Sequence, residues 1–497
     1  MIWLPPCSKT LITVTQIPVD VFSPVPMSAP PKHRSFWLEQ CAGDAPDQPQ
    51  LKGPASADVA ILGGGYVGLW TALRIKEIQS ACDVVILEQD ICGGGASGRN
   101  GGFVLSWWPK LASLAKLFGP EEAVRIGRSS ESAIDEISAF CAQHSIDADF
   151  RRGGWLWTAT SSAQMGAWEG VLHICQKIGV EPFRRLDPGE VERRTGSPVH
   201  RAGVFEGGAS IVQPAVLVRG MRRIALEKGV RIYENTRALS FTRRSPISIR
   251  TEQGSLVADK LVIATNAWSA SVRELSRSIA VISSDIVVTA PIPQRLEQIG
   301  WHRDLSITDS QTMVDYYRIS RDGRIAFGKG GWTIAYGGNI GANFDRHPRR
   351  AAEVTVDLRR YYPMLRDVPV THDWSGPIDR TPDSLPLLGY LNAEKTIVYG
   401  IGWSGNGVGP SLIGGKILAS LTLERNDEWS NHPLVGRALR NFPVAPIRYV
   451  GAHLVRTAVA TKERAEIRDR KPPWWSVQLA KLAPAGLEDK SESSARP

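Results

Sequence analysis

Alternating apolar and polar stretches begin after residue 56 and predict a βαβ unit. Residues 58–62 form a short apolar run typical of a buried strand, a glycine-rich turn follows, and residues 69–78 form an apolar-rich helical stretch. Residues 83–88 then repeat the pattern of a buried strand. A strand, a glycine turn, a helix and a second strand predict parallel pairing with a right-handed crossover.

The rest of the chain predicts both helices and strands, with no internal repeat. We expect helices over residues 120–144, 213–228 and about 411–421, and strands over residues 155–158, 230–234, 256–265, 286–291 and 396–399. Residues 318–327 predict a hairpin that turns at Asp322 and Gly323, a pair that favours a tight connection between strands.

Two terminal regions lack this regularity. Prolines at positions 5, 6, 24, 26, 30 and 31 work against regular structure, so residues 1–56 predict an irregular arm. We hypothesise that Met27 is the natural start of the protein. Residues 425–497 predict a C-terminal extension with a few helical segments, and its polar end from residue 489 is expected to be disordered.

Composition narrows the class of protein. The chain has 497 residues, of which 42% are hydrophobic, and this allows a sizeable core. Its longest apolar runs fall short of the roughly 18 to 20 residues that a membrane-spanning helix needs. The six cysteines show no C-x-x-C spacing, so we expect no disulfide framework, no metal site and a cytoplasmic location. The net charge of +9 is dispersed among acidic residues, which indicates a solvated surface and no nucleic-acid partner.

A glycine fingerprint occupies the turn of the βαβ unit. Gly63, Gly65 and Gly68 satisfy G-x-G-x-x-G between a predicted strand and a predicted helix. The first glycine permits a sharp turn, the second lets the backbone approach a pyrophosphate, and the third lets helix and strand pack closely. Glu88 ends the second strand, where an acidic side chain binds a ribose hydroxyl. The pattern predicts dinucleotide binding.

Two further clusters of small residues point to FAD. Residues 93–102 follow directly on Glu88 and leave too little chain for another standard βα unit. Many small residues imply close approach of backbone N–H groups to a ligand, and a pyrophosphate followed by a flavin ring supplies such a surface. Residues 400–410 precede the helix expected from about residue 411, whose positive end would stabilise negative charge on the reduced ring.

The residues expected to bind the cofactor come from all three clusters. They are Gly63, Gly65, Tyr66, Val67, Gly68, Glu88, Gly95, Ala96, Ser97, Arg99, Asn100, Gly101, Gly402, Gly405, Asn406, Gly407 and Val408.

These clusters resemble those of the FAD-dependent oxidoreductases of the D-amino-acid oxidase superfamily, which includes glycine oxidase and sarcosine oxidase. Residues 95–102 are closest to the gamma-glutamylputrescine oxidase-like branch, and the likeness extends over residues 35–424, including residues 264–268. The resemblance implies an α/β, overall α+β, architecture. A Rossmann-like FAD-binding domain would comprise residues 57–154, 205–275 and 375–424, and an inserted mixed-sheet substrate-binding domain residues 155–204 and 276–374.

The resemblance also implies a reaction. A hydride passes from the carbon next to an amine nitrogen to flavin N5, the imine product hydrolyses, and oxygen usually reoxidises the flavin. The substrate would be a small or polyamine-like amine such as gamma-glutamylputrescine. The alternative is a dehydrogenase on the same scaffold that passes electrons to a quinone or a carrier protein.

Two departures from the family pattern affect these expectations. Ile378 stands where glycine oxidase-like members carry an arginine that grips the substrate carboxylate, although Arg380 lies two residues on. A simple α-amino acid is therefore disfavoured as substrate. No histidine follows Asn100, and Cys92 precedes the second cluster, so we expect noncovalent FAD.

Substrate-facing residues are expected on the predicted hairpin. Tyr316, Tyr317 and Arg318 precede its turn, Lys329 follows it, and side-chain alternation lets only one of the two tyrosines face the site. The candidate catalytic set is Tyr317, Arg318, Lys329 and Arg380. Core aromatic residues with a solvated arginine, and a turn position for the lysine, are the alternatives.

Overall fold

The computed structural model describes residues 23–24, 33–41, 43, 46–438 and 441–484. Met27 itself and the residues from 489 onward lie outside these ranges, so the hypothesis of a start at Met27 and the predicted disorder of the polar end stay predictions. Part of the predicted irregular arm is regular, because residues Phe36–Glu39 form a helix. The Ser35 hydroxyl accepts a hydrogen bond from the backbone N–H of Leu38, and Trp37 packs edge-on against Trp374, which together hold this turn in place.

Nineteen strands occur in the described part of the chain. They are β1 Ser23–Pro24, β2 Gly53–Leu62, β3 Val84–Leu87, β4 Phe103–Val104, β5 Trp155–Ala159, β6 Arg184–Leu186, β7 Ala202–Glu206, β8 Ser210–Ile211, β9 Arg231–Tyr233, β10 Ala238–Phe241, β11 Ile247–Thr251, β12 Gly254–Ile263, β13 Ala280–Thr289, β14 Ser306–Thr308, β15 Asp315–Ile319, β16 Ile325–Ile334, β17 Val370–Arg380, β18 Leu387–Tyr390 and β19 Ile397–Ile401.

The same residues contain twelve α-helices. They are α1 Phe36–Glu39, α2 Tyr66–Ile78, α3 Leu111–Phe118, α4 Pro120–Gln143, α5 Glu169–Ile178, α6 Pro188–Thr195, α7 Pro214–Glu227, α8 Pro293–Gln298, α9 Pro348–Tyr361, α10 Pro410–Thr422, α11 Ala445–Glu466 and α12 Trp474–Ala480. Among the helices so described, none combines the length and the apolar character needed to cross a bilayer.

The first large sheet contains the predicted βαβ unit. Its order is β1-β10-β11-β12-β2-β3-β9, with β19 also pairing with β12 and β18 with β19. Strands β9, β3, β2, β12 and β19 run parallel to one another, while β11, β10 and β1 extend the sheet beyond β12 as antiparallel strands and β18 pairs antiparallel with β19. The expected Rossmann-like arrangement is confirmed.

The second large sheet is mixed, as expected for an inserted domain. Its order is β17-β13-β16-β15-β14-β5-β7-β6, and only the pairing of β14 with β5 is parallel. The predicted hairpin is formed by β15 and β16, with Gly323 in the left-handed region at φ +74°. Strand β7 crosses the predicted boundary between residues 204 and 205, and β17 crosses the one between residues 374 and 375. The division into domains stays a prediction.

Candidate active site

The three small-residue clusters meet at one edge of the first sheet. In β2, Leu62 pairs with Leu87 of β3 and with Ile263 of β12, so these parallel strands end side by side. Strand β19 runs parallel to β12 and delivers the third cluster to the same edge. Ligands of parallel α/β sheets bind outside the carboxyl ends of the strands, and this edge is therefore the expected position for a cofactor.

One cavity of about 540 Å³ lies at this edge and extends to the second sheet and the C-terminal extension. We call the part lined by the three clusters the glycine end. The predicted residues that line the cavity are Gly63, Gly65, Tyr66, Val67, Glu88, Gly95, Ala96, Ser97, Arg99, Asn100, Gly101, Arg380, Gly405, Asn406, Gly407 and Val408. Gly68, Gly402, Tyr317, Arg318 and Lys329 are not among the lining residues.

The glycine fingerprint is held by close backbone contacts. Gly63 has φ +105°, and a Cβ atom there would lie 2.6 Å from the carbonyl oxygen of Ala264. A Cβ at Gly68 would lie 2.0 Å from the carbonyl oxygen of Gly63, which explains how this glycine acts without lining the cavity. Helix α2 begins directly after Gly65, which provides no side-chain cap. Because Gly65, Tyr66 and Val67 all line the cavity, the N-terminus of the helix faces it.

Glu88 lies at the carboxyl end of β3 and lines the cavity. Its carboxylate accepts hydrogen bonds from the backbone N–H groups of Gly64 at 2.7 Å and Asp90 at 2.9 Å. Burial nevertheless raises the pKa of Glu88 to about 7. The carboxylate has the position and the acceptor capacity required to bind a ribose hydroxyl.

Side chains fix the backbone of the second cluster. The Asn100 amide donates to the carbonyl oxygens of Ala96 and Ser97, and its oxygen accepts from the N–H of Gly102. The Ser97 hydroxyl accepts from the N–H of Tyr66 at 2.9 Å, which joins this cluster to the start of α2. The two clusters therefore form one rigid surface.

The third cluster is anchored by an aspartate that the sequence prediction did not include. Asp379, at the end of β17, accepts hydrogen bonds from the N–H groups of Gly402 at 2.5 Å and Trp403 at 3.1 Å. Burial raises the pKa of Asp379 to about 7. Gly402 adopts φ +83° at this turn and supports the cluster from behind the cavity wall.

Three buried polar atoms on the cavity wall have no hydrogen-bond partner within the part of the chain that the structure describes. They are Oε1 of Gln89, which follows β3, and Oδ1 of Asn266 and Nε1 of Trp268, both in the segment after β12. Unsatisfied buried groups of this kind are costly, and a ligand in the cavity would supply the missing partners. Together with the glycine contacts and the two helix N-termini, they fit a bound FAD.

The expectation that Tyr317 faces the substrate is wrong in this geometry. Side chains alternate along β15, and Tyr316 lines the cavity, with its hydroxyl 2.7 Å from the hydroxyl of Ser284. Tyr317 points to the opposite face, where it is fully buried, stacks on Phe327 and hydrogen-bonds to His200. Tyr316 and Ser284 are thus two hydroxyl groups that strands of the second sheet contribute to the wall.

Arg318 also lies behind the wall rather than on it. Its side chain is buried, and it donates to the carbonyl oxygens of Gly101 at 2.7 Å and Val212 at 2.8 Å. Its guanidinium lies over the ring of Trp37, and burial lowers the pKa of Arg318 to about 9. We correct its expected role from substrate contact to support of the second cluster.

Lys329 does not reach the cavity either. Its ammonium pairs with Asp315 at 2.9 Å and Asp357 at 3.1 Å, and its side chain is 4% exposed. The ion pairs raise its pKa although burial opposes them. The expected catalytic role is replaced by that of a buried structural cation, because both carboxylates lie inside the second sheet's domain.

The C-terminal extension supplies wall residues that belong to no recognisable sequence motif. Helix α11 and the residues after α12 line the cavity with Ile447, Arg448, Gly451, Ala452, Val455, Arg456, Val459, Leu482, Ala483 and Pro484. We call this part the α11 end. Its side chains carry no motif, so sequence reasoning could not link them to the site.

Comparison with known proteins agrees with this geometry. The model of the family of FAD-dependent oxidoreductases called DAO matches residues 58–421. The "Probable oxidoreductase OrdL" of Rhizobium meliloti is 30% identical over 395 residues, which are 79% of this chain and 89% of that protein. The gamma-glutamylputrescine oxidoreductase of Escherichia coli is 27% identical over 419 residues, which are 82% of this chain and 95% of that one.

A solved structure shares the fold. Glycine oxidase from Geobacillus kaustophilus superimposes with a TM-score of 0.65 at 21% identity, covering 78% of this chain and all of the other. The family match spans both large sheets and all three clusters at the glycine end. The chain belongs to the DAO family of FAD-dependent oxidoreductases and is an enzyme that uses FAD.

Proposed function

We propose that this enzyme oxidises an amine at the carbon next to the nitrogen, and that its substrate is a small or polyamine-like amine such as gamma-glutamylputrescine. The observation that carries the proposal is the continuity of the cavity. It begins at the glycine fingerprint and reaches a wall from the second sheet, formed by Ala280, Ile282, Ser284 and Tyr316. The gamma-glutamylputrescine oxidoreductase of Escherichia coli is similar over 82% of the chain and supports the same reaction.

In this proposal the glycine end of the cavity binds the cofactor. At the glycine end, Glu88 and the N-terminus of α2 bind the ribose and the pyrophosphate of FAD. The N-terminus of α10, which follows the third cluster, would stabilise negative charge on the cofactor in its reduced form. Asp379 holds the backbone of that cluster in register.

The redox chemistry would belong to the cofactor, which supplies a two-electron acceptor for the hydride from the carbon next to the nitrogen; the amine also loses one proton and becomes an imine, which water converts to a carbonyl compound and ammonia or an amine. The wall residues bind the amine in its neutral form and exclude water. Oxygen then takes the two electrons and two protons and becomes hydrogen peroxide.

The wall disfavours a simple α-amino acid. Ile378 lines the cavity at the position where the resemblance places a carboxylate-binding arginine. Arg380 also lines the cavity, and its guanidinium donates to the carbonyl oxygen of Ser404 at 3.3 Å. A substrate whose carboxylate lies away from the reacting amine fits this arrangement better than glycine does.

We further propose that FAD is held without a covalent bond. Among the described residues that line the cavity there is neither cysteine nor histidine, and Cys92 is buried beneath Gly64. Acid precipitation is expected to release all of the flavin into the supernatant. A cytoplasmic location also stays a proposal, supported by the five cysteines of the described residues, all of which are free and buried.

The experiment is anaerobic mixing of the purified enzyme with glycine, sarcosine, putrescine and gamma-glutamylputrescine, followed by exposure to air. Bleaching of the oxidised-flavin absorbance by an amine supports the proposal, and no bleaching by any of the four overturns it. Rapid recovery of the absorbance with peroxide formation supports oxygen as acceptor. Slow recovery in air that a quinone accelerates would instead support the dehydrogenase alternative.

A further inference from the structure

The C-terminal extension lines the cavity and is attached to the main body at several points. Near the start of α11, Arg448 donates to the carbonyl oxygens of Ser276 at 2.8 Å and Ile279 at 3.1 Å. Near its end, Glu463 accepts a hydrogen bond from the N–H of Met313 at 3.0 Å. Both ends of the helix are therefore attached to residues that border the second sheet.

Apolar packing adds to this attachment. Val459 of α11 and Ala483 after α12 are buried together with Met313. Asp469, which follows α11, pairs with Arg201 at 3.1 Å and accepts from the N–H of Ser162 at 3.2 Å. Contacts on three separate segments of the main body make α11 part of the cavity wall rather than a loosely attached tail.

One face of α11 points into the cavity. Ile447, Gly451, Val455 and Val459 are spaced by four residues, so they share a helix face, and all four line the cavity. At the centre of this face, a Cβ atom built on Gly451 would have no other atom within 4 Å. The wall is therefore recessed at Gly451.

We infer that α11 determines substrate size, and that the recess at Gly451, bordered by Ala452 and Val455, receives the part of the amine beyond the reacting carbon. This inference rests on the proposed function. The family match ends at residue 421, so this wall lies outside it. The chemical class that fits is an amine with a chain longer than that of glycine or sarcosine, because α11 faces the cavity mainly with apolar and small residues.

The test is a matched pair of substitutions in the full-length holoenzyme. Gly451→Phe fills the recess, whereas Thr457→Phe adds the same ring at an exposed position of α11 outside the cavity. Gly451→Phe is expected to lower kcat/KM for gamma-glutamylputrescine about 10-fold more than for sarcosine. Thr457→Phe is expected to leave the ratio of the two kcat/KM values unchanged, and FAD content is measured in both.

A second pair keeps the inference testable if Gly451→Phe does not fold. Val455→Ala enlarges the recess and is expected to raise the preference for the longer amine by about 3-fold, while Leu454→Ala, at an exposed neighbouring position, does not. Unchanged preference in the cavity-facing variants overturns the inference. If no amine reduces the flavin of the unsubstituted enzyme, the proposed function itself fails, and the inference fails with it.

Discussion

The two ends of the cavity are built in different ways. At the glycine end, backbone atoms and small side chains follow directly on strands of one parallel sheet. The rest of the wall, which includes the α11 end, consists of ordinary side chains from an antiparallel part of the second sheet and from a helix beyond the family match. A pyrophosphate needs close backbone approach, which only small residues allow, whereas a substrate wall needs only shape. The first requirement leaves a sequence signature and the second does not.

The largest effect is expected from a substitution of Lys329. Sequence analysis placed this charge at the substrate, whereas the structure places it in the core. Lys329→Met leaves Arg360, at 3.6 Å, as the remaining cationic partner of the buried Asp315, and we expect a loss of about 3 to 5 kcal/mol in the free energy of unfolding. Urea denaturation measures the loss. The exposed Lys177→Met is the control and should change stability by less than about 0.5 kcal/mol. Unchanged stability with slower flavin reoxidation would restore a catalytic role for Lys329.

At the glycine end, a change in backbone geometry alone is expected to weaken FAD binding. Gly63→Ala forces a Cβ to within 2.6 Å of the carbonyl oxygen of Ala264 in a left-handed conformation. We expect FAD affinity to fall about 100-fold, equal to about 2.7 kcal/mol. Titration of the apoprotein with FAD measures it. Gly53→Ala is the matched control, because Gly53 also has a positive φ (+71°) but has open space where its Cβ would lie. An equal loss of FAD affinity in Gly53→Ala would show that the contact at Gly63 is unimportant.

Arg380 tests whether charge at the cavity wall selects the substrate. Arg380→Leu is expected to raise KM about 10-fold for amines that carry a carboxylate and to leave KM for putrescine unchanged. Steady-state kinetics with both classes of amine provide the measurement. An equal increase in KM for amines without a carboxylate would show that Arg380 does not bind the substrate carboxylate. Arg380→Lys, which keeps the positive charge, should recover part of the loss.

The smallest expected effect is a pH dependence at the glycine end. Because the pKa of Glu88 is raised to about 7, its carboxyl group gains a proton as the pH falls from 8 to 6. The ribose hydroxyl then loses a charged acceptor, and we expect the dissociation constant of FAD to rise about 5-fold. Fluorescence titration at several pH values measures the change. In Glu88→Gln the step should vanish, and a step that persists would assign it to another group.

The sequence by itself determined the cofactor half of this protein. Gly63, Gly65 and Gly68 occupy positions where a larger side chain would collide with backbone or with Ser97, so their identity follows from local geometry. The spacing from the fingerprint to Glu88 reflects one strand, one helix and one turn, which are local elements. The hairpin that turns at Gly323 could also be predicted from its turn residues.

Only the tertiary structure decided which side chains form the substrate half. Alternation showed that one of Tyr316 and Tyr317 faces the cavity, but the pairing of β15 between β14 and β16 decided that it is Tyr316. Asp315 and Asp357 decided that Lys329 is a core residue. The docking of α11 depends on contacts between residues far apart in the chain, such as Glu463 with Met313, and sequence pattern carries no record of such contacts.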